Sequence, residues 1–104
     1  MNIENLHALG LAAAQKATAD FIAQNGERDL CGFAWVTVYE KGSTKLGRAL
    51  KALGFHKAYG GGLQLWNPSG SYTQAITAKE VGAKAYANVL RSAGINAYSG
   101  SRMD

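Results

Sequence analysis

The sequence predicts an α+β domain of two layers, in which Ala-rich helices pack on one face of a three- to four-stranded mixed sheet. Segments whose apolar residues recur every three or four positions alternate with short segments rich in β-branched and aromatic residues, in the order α-β-α-β-α-β. The 104 residues, of which 47% are hydrophobic and 17% charged, suit a globular chain with a single core. We therefore expect one domain over residues 1–104.

The first helix is predicted over about residues 3–24. Its apolar positions share one side of a helical wheel and are Leu6, Leu9, Ala13, Ala17 and Phe21. Asn25 and Gly26 follow as a helix stop. A long amphipathic helix therefore opens the chain.

The strongest strand signal lies at about residues 33–39, a run of β-branched and aromatic side chains. Because side chains alternate along a strand, its two faces differ. One face is small and apolar and contains Ala34, Val36 and Val38; the other is large and contains Phe33, Trp35, Thr37 and Tyr39. We expect helices one and three on the small face. The aromatic face should be covered by helix two, by a ligand or by another subunit.

A second helix is predicted over about residues 44–53, with Ser43 or Thr44 as its N-cap. Its apolar positions are Leu46, Ala49, Leu50 and Leu53. Gly54 should end this helix, and Phe55 should fold back on its last turn as in a Schellman stop.

A second strand is predicted at about residues 62–66, closed by the turn signal of residues 67–70. The third helix is predicted over about residues 78–93. Thr77 to Glu80 has the pattern of a capping box at its start, and Gly94 is its stop.

The last strand is predicted at about residues 95–98, and residues 99–104 are expected to form a frayed tail unless they dock on a neighbouring subunit. In the docked alternative Arg102 would join a ligand pocket, because a guanidinium suits phosphate. Residues 50–55 and 90–95 are similar, which indicates an internal repeat or a shared helix-stop pattern. The connection lengths fit both parallel and antiparallel pairing of the strands.

Positive charge is concentrated in the middle of the chain. The net charge is +4, and no acidic residue lies between Glu40 and Glu80. That window contains Lys41, Lys45, Arg48, Lys51, Lys57 and Lys79 among aromatic residues. Such a pattern favours nucleic acid, nucleotides or acidic protein surfaces as partners.

The sequence has no recognisable catalytic or metal-binding set, so we expect a protein that is not an enzyme and has no cofactor. Cys31 is the only cysteine, without zinc or thiol-protease spacing around it, and should be a small core residue rather than the nucleophile of a pair with His56. The N-terminus lacks the basic segment of a signal peptide, and residues 58–78 are too polar for a membrane span. We expect no membrane partner.

The first candidate site is a phosphate site at the start of the second helix. Helix-start amides, the hydroxyls of Ser43 and Thr44, and the cations Lys45 and Arg48 are expected to converge there. The spacing does not match a P-loop, because Gly42 lacks the long glycine-spaced loop of that motif. A solvated, capped helix is the alternative.

The second candidate site is the glycine-rich segment before the second strand. Gly61, within the run Gly60–Gly62, allows a ligand to approach the backbone. Tyr59 or Trp66 can stack a base, and Gln64 can contact the edge of that base. A flexible connection beside core aromatics is the alternative.

Four segments together resemble a family of small uncharacterised proteins encoded by tailed bacteriophages. They are Gly32–Val36, Gly60–Trp66, Leu90–Ile95 and the ending Ser101–Asp104. The resemblance implies expression in the cytoplasm of an infected bacterium, where small basic phage proteins often act against host defences. It brings no catalytic residue with it.

These observations give three hypotheses. The leading one is a non-enzymatic, homo-oligomeric phage anti-defence protein that acts as a sponge for a phosphorylated nucleotide signal. Lys45, Arg48 and Ser43 would bind the phosphate of this nucleotide, and Tyr59 or Trp66 would stack on its base. The alternatives are a single-stranded nucleic-acid-binding accessory protein and a protein inhibitor of a host defence enzyme.

Overall fold

Three helices and four strands form the part of the chain described by the computed structural model, residues 2–104. In chain order they are α1 (Ile3–Asn25), β1 (Gly32–Val38), α2 (Lys45–Ala52), β2 (His56–Lys57), β3 (Leu63–Trp66), α3 (Ile76–Ser92) and β4 (Ala97–Met103). The predicted α+β class is confirmed. Within this part of the chain, none of the helices combines the length and the apolar character that a membrane crossing requires.

The four strands make one sheet in the order β2-β3-β1-β4, and every neighbouring pair is antiparallel. The sequence predicts a mixed sheet, and in this detail the structure differs, because the sheet is antiparallel throughout. From β1 onward the chain follows the βαββαβ order of a split βαβ sheet, with α1 added in front. In the register, Trp35 of β1 lies between Trp66 of β3 and Gly100 of β4. The two central strands, β1 and β3, therefore carry the middle of the sheet.

The helices cover the small face of β1, as predicted. Ala34, Val36 and Val38 are at most 1% exposed, and they share the core with Leu63 of β3 and Ala97 of β4. Short side chains on the strand let α3 approach β1 and β4 closely. Burial of this apolar face is the main stabilising contribution that the sheet receives.

Tyr86 of α3 joins the two long helices. Its ring is fully buried, and its hydroxyl shares a hydrogen bond of 2.7 Å with Nδ1 of His7 on α1. The ring also lies directly on Gly10, where an added Cβ would be 2.6 Å from Cδ2 of the tyrosine. Burial raises the pKa of Tyr86 and lowers the pKa of His7. The α1–α3 contact therefore depends on a glycine facing an aromatic ring.

Both α2 and α3 end in the same way. The amide of Phe55 donates to the carbonyl of Leu50 over 3.0 Å, and the amide of Ile95 donates to the carbonyl of Leu90 over 3.1 Å. With Gly54 and Gly94 at positive φ, these are Schellman stops, as predicted for the first of them. The similarity of residues 50–55 and 90–95 is therefore accounted for by a shared helix stop.

Three local predictions are wrong. The segment Thr77–Glu80 is not a capping box, because α3 starts at Ile76 and its Thr77 amide donates to Oδ2 of Asp29 over 2.9 Å. Residues 99–103 are not frayed, because they pair with β1 as part of β4. Cys31 is exposed at an isolated bridge rather than buried in the core. The two-residue strand β2 was not predicted.

Replacing Gly10 by Ala should destabilise the protein by about 1–3 kcal/mol, because the new methyl group overpacks against Tyr86. Urea unfolding measures this change. Helix propensity alone predicts the opposite sign, since Ala is favoured over Gly in a helix by about 1 kcal/mol. The exposed Ala12→Gly variant of the same helix is the control for propensity. A Gly10→Ala variant as stable as the wild type would contradict the described contact.

Asp29 should make stability depend on pH. Hydrogen bonds from the Thr77 hydroxyl, the Thr77 amide and the Leu30 amide hold the pKa of this carboxyl below its usual value. A lowered folded-state pKa means that the stabilisation is present above the unfolded value, about 3.9, and is lost as the pH falls through the folded value.

The measurement is the free energy of unfolding of Asp29→Asn and wild type between pH 2 and pH 7. We expect the variant to be less stable at pH 7 and the difference to shrink below about pH 4. Glu27→Gln, an exposed change in the same loop, controls for the loss of one negative charge. A difference that stays constant with pH would argue against Asp29 as the cap of α3.

Candidate functional site

The face of the sheet away from the helices has no helix on it. The helix α2 does not cover it, because Leu50 and Phe55 of the α2 region join the same core as Val36 and Val38. We call this surface the open face. It consists of Phe33, Trp35, Thr37, Tyr39, His56, Gln64, Trp66, Tyr98 and Arg102. The possibility that helix two covers the aromatic side is thereby excluded.

Aromatic rings dominate the open face. The indoles of Trp35 and Trp66 are stacked, with centroids 4.9 Å apart and planes 26° from parallel. The ring centroids of Phe33 and Trp66 are 5.8 Å apart, and those of Tyr39 and Tyr98 are 6.0 Å apart. Soluble proteins rarely expose large apolar clusters to water, and those that do often use them as interaction sites. The open face is therefore the strongest candidate binding surface of the domain.

Neighbouring side chains fix the orientation of the two indoles. Nε1 of Trp66 donates to Oε1 of Gln64 over 3.0 Å, and Nε2 of Gln64 donates to the Thr37 hydroxyl over 3.3 Å. The indole of Trp35 lies on Gly100, where an added Cβ would be 2.7 Å from its Nε1. Gln64 therefore positions a ring, and Gly100 provides the space for one. The rings are held in place before any partner binds.

The charged side chain of the open face, Arg102, is positive. The Arg102 guanidinium lies 5.6 Å from the centroid of the Phe33 ring on the open face; the Lys79 ammonium lies 5.5 Å from the same ring, but it comes from α3 on the helix side of the sheet and is buried. Nζ of Lys79 also donates to the carbonyl of Gly32 over 2.9 Å. None of the positions that define the open face is acidic; Asp104 comes after the end of β4. Stacking rings and an arginine thus occur on one surface.

A cavity of about 810 Å³ adjoins the open face at Tyr39. We call it the lysine cavity. Its lining consists of Tyr39, Glu40, Lys41, Gly42, Ser43, Thr44, Lys51, Lys57, Gly62 and Leu63. Three lysines from three different segments therefore face one concave site, with one glutamate among them.

The loop that walls the lysine cavity is held against α2 by close backbone packing. Thr44 caps α2 by accepting from the Gly47 amide over 3.0 Å, and its hydroxyl donates to the Lys41 carbonyl over 3.0 Å. That carbonyl lies so near Gly47 that an added Cβ would be 1.9 Å from its oxygen. On the opposite wall, Gly62 has φ +76° and packs on the carbonyl of Val38. Both walls therefore require glycine.

The predicted phosphate site is brought together only in part. Ser43 and Thr44 line the lysine cavity, although the Thr44 hydroxyl is already engaged as the helix cap. Lys45 and Arg48 do not line it; both are exposed, and Nη1 of Arg48 donates to the carbonyl of Ser43 over 2.8 Å. The cations that do line it are Lys41, Lys51 and Lys57. Helical spacing alone did not distinguish them, because their convergence is tertiary.

The residues of the second predicted site are separated. Gln64 and Trp66 lie on the open face, as does Arg102 of the predicted tail, whereas Tyr59 projects fully into solvent from the turn between β2 and β3. Gly61 lies in that turn at φ +105° with open space around it. Phe33 and Trp35 were not chosen as site residues. The alternation of side chains along β1 puts Phe33 and Trp35 on the same side of the sheet as Trp66, and this signal could have identified them.

Residues for nucleophilic or metal chemistry are not brought together. Within residues 2–104 no three His, Cys, Asp or Glu side chains form a group able to hold a metal ion. His56 aligns through Gln64 with Thr37, which is six residues along β1 from Cys31. At about 3.3 Å per residue this is a separation of about 20 Å.

Comparisons with known proteins identify no relative. No protein-family model matches the chain. No curated protein and no solved structure is significantly similar to it. Function therefore has to be inferred from the geometry of the open face and the lysine cavity.

Replacing Gly47 by Ala should displace the Lys41–Thr44 loop, because the methyl group cannot coexist with the Lys41 carbonyl. We expect a loss of about 1–3 kcal/mol of stability, as for overpacking of a tight contact. Amide exchange should also speed up at Gly47 and Arg48, whose amides donate to Thr44. The exposed Ala52→Gly change in α2 is the control. Unchanged exchange at both amides would contradict the described loop.

Proposed function

We propose that this protein binds single-stranded nucleic acid on the open face and does not act on it as an enzyme. The observation that supports this most strongly is the stacked pair Trp35 and Trp66 on a sheet face without a helix. Bases of any sequence stack on aromatic side chains, and each such contact contributes about 1–3 kcal/mol. A surface built in this way binds strands whose bases are unpaired.

The geometry of β1 supports the same function. Single-stranded RNA is bound by four-stranded sheets whose exposed aromatics stack two or three bases. In one characteristic segment of such sheets, Gly-Phe/Tyr-Gly/Ala-Phe-Val, aromatic side chains alternate with small ones. Residues Gly32–Val36 have the same alternation, with Trp35 at the second aromatic position. The full motif begins with a cation and ends in an aromatic residue, where this chain has Cys31 and Val38. This is a similarity of geometry and pattern, not of family.

Charge supports a polyanionic partner. Arg102 lies beside Phe33 at one end of the ring cluster, and the lysine cavity lies at the other end beside Tyr39. A strand that crosses the rings would therefore meet cations at both ends. The net charge of +4 attracts a strand over a longer range, to a degree that salt controls.

The phage resemblance extends the proposal to an accessory protein for single strands in an infected bacterium. Sequestration of a nucleotide signal and inhibition of a host protein remain the competing hypotheses. Sequestration of a nucleotide signal has little support from the geometry, because Lys45 and Arg48, its expected phosphate ligands, do not line the lysine cavity.

Trp66→Ala should weaken binding of a fluorescent 15-nucleotide dT or rU strand about 5- to 150-fold, because it removes an exposed stacking surface. Anisotropy titrations measure the dissociation constant. Tyr72→Ala removes an equally aromatic side chain that is fully exposed in the β3–α3 connection, and it should change nothing.

Salt dependence separates the electrostatic contribution from stacking. For single strands, the slope of log K against log salt is about −0.7 for each phosphate contact. Arg102→Ala should therefore make the slope about 0.7 less negative, whereas Lys16→Gln on α1 should leave it unchanged.

Three results would reject the proposal. They are equal affinity for duplex and single strand, full affinity of Trp66→Ala, and binding of a free nucleotide without binding of any strand.

A further inference from the structure

The lysine cavity continues the open face instead of forming a separate surface. Tyr39 belongs to both, through its ring contact with Tyr98 on one side and its place in the cavity lining on the other. Tyr39 is four residues along β1 from Trp35, about 13 Å at 3.3 Å per residue. A short strand stacked on the rings therefore reaches the cavity.

The charge of the cavity matches a group with two negative charges. Lys41, Lys51 and Lys57 contribute three positive charges and Glu40 one negative charge, which leaves a formal charge of +2. A phosphate ester at a chain end carries about −1.5 to −2 at neutral pH. A phosphodiester inside a strand carries only −1. The cavity therefore suits a terminal phosphate better than an internal one.

The shape of the site leads to the same assignment. The loop Glu40–Thr44 forms one wall and Gly62–Leu63 the other, so that the site is concave whereas the open face is flat. Lys51 extends along Gly42, where an added Cβ would be 2.7 Å from its Nζ. An internal phosphate would have to enter this site with chain on both of its sides. A strand end enters with chain on one side only.

We infer that the lysine cavity binds the terminal phosphate of the single strand that lies on the open face. This rests on the proposed function. Lys51 and Lys57, from the end of α2 and from β2, contact the phosphate together with Ser43 of the same cavity lining. The protein then prefers strands that carry a phosphate at one end, as nuclease products do, over strands that end in two hydroxyls.

The experiment compares three versions of one ten-nucleotide strand by anisotropy competition: with a 5′-phosphate, with a 3′-phosphate and with neither. We expect one phosphorylated version to bind about 10- to 150-fold more tightly than the unmodified strand, the range for hydrogen bonds to a charged group. In Lys51→Gln/Lys57→Gln this preference should disappear. The three strands are compared within each variant, so that a general weakening caused by the lost positive charge is separated from a loss of the preference.

Two further variants locate the effect. Lys45→Gln removes a lysine of α2 that does not line the cavity, and it should keep the preference. Gly42→Ala adds a methyl group against the Lys51 side chain at a residue with ordinary φ, and it should reduce the preference without unfolding the protein. Thermal unfolding of each variant checks that the fold is intact.

Each outcome decides a separate point. Equal binding of all three strands to the wild type overturns the inference and leaves the proposed function standing, whereas no binding of any strand overturns both. A preference that survives in Lys51→Gln/Lys57→Gln overturns the assignment to this cavity. A nucleoside monophosphate that competes as well as the phosphorylated strand identifies a free nucleotide as the ligand, and it overturns the assignment to a strand end.

Discussion

The alternation of side-chain size along β1 is the constraint on which the rest of the domain depends. Ala34 and Val36 are short, so α3 can lie close to the sheet and α1 can pack on α3 through Gly10 and Tyr86. The same alternation places Trp35 on the opposite face of the sheet, which no helix covers. Covering one face with three helices therefore leaves the other as an aromatic surface in water, and the free energy of that surface falls when a partner covers it.

Much of the fold could be predicted from the sequence, because the helices and β1 are specified by local periodicity and by glycine stops. What could not be predicted depends on partners distant in the chain. Asp29 caps α3 across 48 positions, so the local pattern at Thr77 was misleading. The sequence Ser99-Gly100-Ser101 has weak strand propensity, yet it pairs with β1 throughout because β1 offers a free edge.

The candidate site divides in the same way. Thr44 and Trp66 could be found from a cap pattern and from strand alternation: Thr44 caps α2, and Trp66 lies on the aromatic face of the sheet. Helical spacing predicted Lys45 and Arg48 as the phosphate-binding cations. The lysines that line the cavity are instead Lys41, Lys51 and Lys57. Their convergence depends on a loop folding back over α2 and on β2 pairing with β3, and neither contact is encoded in the local spacing of the lysines.

Glycines determine how near the parts of this site come to each other. Gly100 admits the Trp35 indole, Gly47 admits the Lys41 carbonyl, and Gly62 lies against Val38 and the ring of Tyr39. Gly62 is thus in contact with the open face and is also part of the cavity wall. Because the two surfaces share this backbone contact, a shift of the β2–β3 turn would move both. The rings and the lysines therefore form one continuous surface, with its concave end beside Tyr39.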